Sequence, residues 1–144
     1  MWREFVENFS IKCAFALAAS DQSLKDAEVA LGIALPPELR SLLLESNGIG
    51  DRYGDGIMST DQMIKRNLER RENAEQDDLS MPFDHLLCFG DLGNGDLAFF
   101  PIQGNGKINN PDVFIWNHEN DNRYWVSNNL EQFVTQWYGG QLTV

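Results

Sequence analysis

The sequence predicts an α+β fold in which a largely antiparallel sheet packs with N-terminal and C-terminal helices. Apolar residues recur at helical spacing near both ends of the chain. Between them lie short runs rich in aromatic and β-branched residues, and Gly, Asn and Asp separate these runs. The order of helices, then sheet, then helix is typical of an α+β arrangement.

The first predicted helix is short and amphipathic. Trp2, Phe5, Val6 and Phe9 fall at i, i+3, i+4 and i+7, and therefore share one helical face. The segment Lys12–Ala19 has no clear period and is interpreted as a link to the next helix.

Two further helices form the firmest local prediction. One begins at Ser20 or Asp21, which are good capping residues, and stops at Gly32. The other opens at Pro36-Pro37, because proline suits the first helical turn, and ends at Asn47-Gly48, where Gly48 tolerates a left-handed conformation. The apolar residues predicted to be buried are Leu24, Ala27 and Leu31 in one helix and Leu39, Leu42 and Leu43 in the other.

A fourth helix follows a turn-rich segment that covers residues 48–56. Ser59 and Gln62 have the spacing of a capping box, and the helical pattern continues to about Asn73. Glu75–Pro82 is then a polar connection that contains Asp77 and Asp78.

The sheet and a last helix are predicted in the second half of the chain. The strand-forming runs are Leu86–Phe89, Leu97–Phe100 and Val113–Trp116, and the sheet segments are followed, after Trp125 and Val126, by the last helix. A helix begins near Asn128 or Asn129 and ends at Gly139-Gly140, with its apolar stripe at Leu130, Phe133, Val134 and Trp137.

Size and composition predict one globular domain over residues 1–144. The chain is 42% hydrophobic and 11% aromatic, which argues against disorder, and no apolar run approaches the ~18–20 residues that span a bilayer. The first ten residues lack the basic region and apolar stretch of a signal peptide. Cys13 and Cys88 are interpreted as buried thiols in a reducing cytoplasm rather than a disulfide.

The net charge of −11 is uneven, with −2 over residues 1–71 and −9 over residues 72–144. Such a chain repels phosphate backbones, so nucleic acid is excluded as a favoured ligand. An acidic surface can instead accelerate association with a basic protein. Solubility alone is the simpler explanation, and the charge by itself does not decide between the two.

No convincing catalytic group emerges from the sequence. His118 and Glu119 adjoin, but neighbours on a strand point to opposite faces and cannot cooperate as acid and base. His85 is 33 residues away, and HExxH spacing is absent. We therefore expect His118 to be a hydrogen-bonded residue at a strand end, and we expect the protein not to be an enzyme.

Two aspartate-rich loops have some character of cation sites. They are GDRYGDG at residues 50–56 and GDLGNGD at residues 90–96. Neither has the alternating ligands and distal glutamate of an EF-hand, and the second lacks the lysine of a phosphate loop, so we expect turns, without metal or cofactor. Trp116, Tyr124 and Trp125 could form a stacking platform, although core packing is favoured.

Two ordered sets of residues resemble the SUKH superfamily, named partly for yeast regulators of cell-wall glucan synthesis. The first set is Ala27, Glu28, Leu31, Gly32, Leu35, Pro36, Leu39, Leu42, Leu43, Asn47 and Gly48. The second is Phe89, Gly90, Asp91, Asn94, Gly95, Asp96, Val113, Trp116, Glu119, Trp125, Leu130 and Phe133. The resemblance covers roughly residues 20–137.

The resemblance implies one α+β domain without catalytic residues. Many bacterial members are similar to immunity proteins that neutralise a cognate secreted toxin, often a nuclease, whereas fungal members are regulatory or scaffold proteins. We therefore expect a cytoplasmic immunity protein with a basic toxin as partner, and a regulatory scaffold as the alternative. The acidic loop residues predicted to bind the partner are Asp77, Asp78, Asp84, Glu119 and Asp121.

Overall fold

The structure, a computed structural model, describes residues 1–9, 12–76 and 80–142. Five helices lie in these ranges: α1 (Trp2–Glu7), α2 (Asp21–Leu31), α3 (Pro37–Glu45), α4 (Thr60–Gln76) and α5 (Leu130–Tyr138). Seven strands lie there as well: β1 (Ala14–Phe15), β2 (Ile49–Gly50), β3 (Gly56–Ile57), β4 (Leu86–Asp91), β5 (Leu97–Pro101), β6 (Val113–Trp116) and β7 (Arg123–Ser127).

The strands form one antiparallel sheet in which each strand pairs with the next strand along the chain. This confirms the predicted α+β fold with helices packed on an antiparallel sheet. The three two-residue strands β1 to β3 were missed, because they lie in segments predicted as a link and as turns. Strands this short carry no alternating pattern, and only pairing with their neighbours defines them.

The predicted limits of α2 are confirmed, and those of α3 are partly wrong. The Ser20 hydroxyl accepts the Ser23 amide at 3.1 Å, and Gly32 takes a left-handed φ of 67°. However, α3 ends at Ser46, whose hydroxyl donates to the backbone carbonyls of Ala16 and Gly48. Gly48 does have a positive φ of 102°, but its role is to let the Ser59 backbone approach closely, not to cap the helix.

The fourth helix begins with the predicted capping box and runs longer than predicted. The Ser59 amide donates to the Gln62 side chain, and the Gln62 amide donates to the Ser59 hydroxyl. The helix continues to Gln76, past the predicted end near Asn73 and into the predicted polar connection. Its buried face contains Asn67, which the apolar pattern did not predict.

Asn67 completes the hydrogen bonding of β4. The short strand β3 pairs with β4 only at Gly90 and Asp91, so the outer backbone groups of Cys88 have no strand partner. The Asn67 side chain accepts the Cys88 amide at 2.8 Å and donates to the Cys88 carbonyl at 2.8 Å. A side chain from α4 therefore takes the place of a neighbouring strand.

Aromatic rings join the helices to both faces of the sheet. On one face, Phe133 of α5 meets Phe89 at 5.5 Å, and Phe89 stacks on Phe100 at 4.4 Å. On the other face, Phe83 meets Trp116 edge-on at 5.0 Å. These contacts form a continuous apolar core that leaves the turns between strands at the surface.

Cys88 is a buried thiol, as predicted, whereas Cys13 is only half-buried, which corrects the prediction for that residue. Burial raises the pKa of the Cys88 thiol to about 12, which keeps it protonated and unreactive at neutral pH. Across the described ranges, we find no helix with the length and apolar character needed to cross a membrane.

We expect Asn67→Ala to lower the free energy of unfolding by about 3 kcal/mol, because both buried Cys88 groups lose their partner. Asn73→Ala, at an exposed position of the same helix, should change stability by less than about 0.5 kcal/mol. Urea unfolding of the three proteins measures both effects. Equal stabilities of the two variants would contradict this role of Asn67.

Candidate partner-binding surface

The turn between β6 and β7 carries two of the predicted binding residues, Glu119 and Asp121. The Asn117 amide donates to the Asn122 carbonyl, and the Asp121 amide donates to the Asn117 carbonyl. Asp121 has a φ of 60° and is the one described residue other than glycine with a positive φ. This conformation costs a non-glycine residue roughly 1 kcal/mol, so other contacts must hold it in place.

The Asp121 carboxylate supplies those contacts. It accepts hydrogen bonds from the Trp116 indole at 2.7 Å, the Met81 amide at 2.9 Å and the Arg123 guanidinium at 3.1 Å. Burial acts to raise the pKa of Asp121, but these bonds and the Arg123 charge outweigh it and lower the pKa. Asp121 therefore fixes the segment around Met81 to the turn, and only 16% of the Asp121 side chain is exposed.

Arg123 of β7 also binds the segment around Met81. Its guanidinium donates to the carbonyls of Pro82 at 2.9 Å and Met81 at 2.8 Å, and it lies 4.7 Å from the centre of the Phe83 ring. The Arg70 guanidinium lies 5.5 Å from the same ring centre. Cation–π contacts of this kind stabilise by roughly 0.5–2 kcal/mol each.

These contacts create a surface that we call the hairpin surface, made of residues 80–84 and 117–121. Asp84 and Glu119 are exposed there. A depression of about 400 Å³ opens beside Glu119, and its lining residues are Arg70, Ser80, Trp116, His118, Glu119, Asn120 and Asp121. The structure thus brings residues 81–83 against the β6–β7 hairpin, although the two segments are distant in sequence.

The predicted binding residues differ in their exposure and contacts. Asp84 and Glu119 are displayed to solvent, and Asp121 is largely occupied by internal hydrogen bonds. Asp77 and Asp78 lie outside the described residues. No contact with a partner tests any of the five, so their binding role stays a prediction.

His118 pairs with Asp96, a partner that sequence reasoning did not find. The ring nitrogen Nδ1 lies 2.7 Å from the Asp96 carboxylate, and the His118 amide donates to the same oxygen at 3.0 Å. The backbone of Gly95 lies against the imidazole, which leaves no room for a side chain at that position. The pair joins the β4–β5 turn to the β6–β7 turn, and His118 is hydrogen-bonded next to the end of β6, as predicted.

A histidine oriented by a carboxylate also forms part of hydrolytic triads. Among the described residues, however, we find no hydroxyl or thiol that forms a hydrogen bond with the His118 ring. Burial acts to raise the pKa of Asp96, but the hydrogen bonds from His118 and Asn94 lower it overall. The contacts shown for the pair are those of a hydrogen-bonded link between two turns.

The two aspartate-rich loops are turns, as predicted. Asp51 accepts the amides of Tyr53 and Asp55, and Asp91 accepts the amide of Gly93. The loops adjoin each other, and burial followed by repulsion from Asp51 and Asp91 raises the pKa of Asp55. Within the part of the chain that the structure describes, no cluster of His, Cys, Asp or Glu has a geometry suited to a metal ion.

Core packing was expected for three aromatic residues, and the structure corrects this for one of them. Trp116 is buried and Tyr124 is half-buried, but 49% of Trp125 is exposed. Sequence reasoning missed this because β7 has several apolar residues in succession. Such a run does not show which face of the strand is covered by the rest of the protein.

We expect Asp121→Ala to lower the free energy of unfolding by about 3 kcal/mol, through lost hydrogen bonds and an unfavourable backbone conformation. Asp121→Asn should cost about 1 kcal/mol, because asparagine tolerates the left-handed conformation and keeps an acceptor. Glu119→Gln, in the same turn, is the matched control and should be near neutral. Urea unfolding decides; if the alanine and asparagine variants lose stability equally, this account of Asp121 is wrong.

Stability should also fall in acid, because Asp96 and Asp121 both have a pKa below the ordinary 3.8. Their contribution is fully present above about pH 4 and is lost as the pH falls through the lowered pKa values. The double variant Asp96→Asn, Asp121→Asn should therefore show a shallower decline of unfolding free energy below pH 4 than the original protein. Parallel declines in a pH series of urea titrations would refute the assignment.

The chain matches a family of known proteins. The model of the SMI1/KNR4 family (SUKH-1) matches residues 18–136, close to the range over which the sequence resembles the SUKH superfamily. Among curated proteins, no match to the chain is found. The matched range includes Asn67, the Asp96–His118 pair and the hairpin surface. Because it covers most of the 144 residues, the chain belongs to the SMI1/KNR4 family (SUKH-1).

Proposed function

We propose that this protein is a cytoplasmic immunity protein of a polymorphic toxin system. It binds one secreted bacterial toxin domain, of a basic, nuclease type, and neutralises it by covering its active surface without catalysis. The family supports a protein partner, and the observation that carries the proposal is the hairpin surface, where Met81 and Pro82 are held against the turn that displays Glu119.

Rigidity of the hairpin surface favours tight binding. The Asp121 and Arg123 side chains hold Met81 and Pro82 through three hydrogen bonds, and a fourth joins Asp121 to the Trp116 indole. Because Asp84 and Glu119 are attached to this fixed frame, little loop entropy is lost when a partner binds. An inhibitor that must outcompete nucleic acid for a toxin benefits from such preorganisation.

Charge supports a basic partner. The second half of the chain carries a net charge of −9, and the Arg123 charge on this surface is neutralised by Asp121. Acidic residues on the hairpin surface would raise the association rate with a basic toxin, and the same charges repel nucleic acid from the complex. The scaffold alternative requires no such complementarity.

The test is growth rescue. The C-terminal domain of a large secreted protein encoded beside this chain is expressed alone or together with it, and we expect rescue and co-elution as a complex. An active toxin domain that the folded chain neither binds nor neutralises would refute the immunity function and favour the scaffold alternative.

Within that complex, we expect Asp84→Lys with Glu119→Lys to slow association by about tenfold at low salt, with a smaller effect on dissociation. Glu7→Lys, on the exposed side of α1, is the control and should have a much weaker effect. Stopped-flow or surface-plasmon kinetics at several salt concentrations measure both. Association that depends on neither salt nor these two residues would contradict the acidic surface.

A further inference from the structure

The outer edge of β7 is open. It is the last strand of the sheet, and no strand of the described residues pairs with its far side. The bond between the Asn117 amide and the Asn122 carbonyl, together with the register, makes Asn122 and Tyr124 the residues that bond to β6. The amide and carbonyl groups of Arg123 and Trp125 therefore point outward, and no described residue bonds to them.

Some of the usual protections of an edge strand are missing from β7. Natural edges are shortened, or they carry proline, lysine, inward-pointing charges or β-bulges. β7 has five residues and no proline or lysine; its one charge, on Arg123, is turned inward to Asp121 and the carbonyls of Met81 and Pro82, and its register with β6 shifts beyond Trp125. The opposite edge, β1, has only two residues.

A row of aromatic side chains leads to this edge on one face of the sheet. The rings of Phe99 and Phe114 stack at 5.6 Å, and Phe114 is paired in register with Trp125. Phe99 is buried, Phe114 is half-buried and 49% of Trp125 is exposed, so the row emerges into solvent at its last member. A further strand would place a side chain directly against Trp125.

The charges near the ends of β7 favour a basic binding partner at this edge. Glu119 lies beyond one end of β7, and Asp112 and Glu131 lie near the other end. A second copy of this chain would bring a net charge of −11 and the same acidic ends against them. A basic extended segment meets opposite charges at both ends and an aromatic ring in the middle.

We propose that the free edge of β7 binds an extended, basic segment of the toxin, which pairs with the strand as an additional antiparallel or parallel neighbour and packs an apolar side chain on Trp125. This rests on the proposed immunity function and specifies how the partner is held. Backbone hydrogen bonds to Arg123 and Trp125 supply affinity, and the Trp125 contact and the acidic ends supply selectivity.

Two substitutions at Trp125 separate backbone pairing from side-chain contact. Trp125→Ala removes the ring and should weaken binding of the toxin's C-terminal domain by about 30-fold, as at an interface hot spot. Trp125→Pro also removes an outward amide that the sheet does not use, and should weaken it by a further factor of about ten. Tyr53→Ala removes another exposed aromatic ring, on the remote β2–β3 turn, and should leave affinity unchanged.

Amide hydrogen exchange of the unaltered protein gives a second readout that does not depend on how the variants fold. In the free protein the Arg123 and Trp125 amides should exchange quickly and the Tyr124 amide slowly. In the complex the first two should slow by about tenfold or more, while Tyr124 changes little.

The outcomes separate the two proposals. A complex with the predicted exchange pattern and the predicted loss for the Trp125 variants supports edge pairing. A complex in which the Arg123 and Trp125 amides still exchange quickly overturns edge pairing and leaves the immunity function standing. Absence of any complex with the active toxin domain overturns both.

Discussion

Several strands of the sheet are too short to satisfy all the backbone hydrogen-bonding groups of their neighbours. The sheet therefore depends on side chains that bond to the remaining groups. Asn67 of α4 bonds to both backbone groups of Cys88 beyond the end of β3. The Tyr138 hydroxyl of α5 accepts the Ile57 amide at 3.0 Å and donates to the Ile49 carbonyl at 2.6 Å, which joins β2 to β3. Because an unpaired buried amide or carbonyl costs roughly 1–3 kcal/mol, these two side chains fix where the helices pack.

The same requirement explains the hairpin surface. Residues 80–83 pack on the sheet without forming a strand, so their amides and carbonyls need partners from elsewhere. Asp121 accepts the Met81 amide, and Arg123 binds the carbonyls of Met81 and Pro82. An ion pair in the β6–β7 hairpin therefore holds Met81 and Pro82, which lie about forty residues earlier in the chain, against the turn.

The open edge of β7 is the exception to this pairing. Side chains satisfy backbone groups of Cys88 and Ile57, but no described residue bonds to the outward groups of Arg123 and Trp125. Solvent can satisfy them in the free protein, so the edge costs the fold little. It is also where a partner could gain backbone hydrogen bonds without displacing any that the protein already makes, next to the exposed ring of Trp125.

The sequence by itself determined the features whose chemistry is local. The Ser20 cap, the Ser59–Gln62 capping box and the apolar runs of β4 to β6 depend on residues a few positions apart, and all were predicted. The tertiary structure alone decided the bonds of Asn67 to β4 and Asp96 to His118 and the exposure of Trp125. In each of these, the partner or covering element lies far away in sequence, and its position is fixed only when helices and sheet pack together.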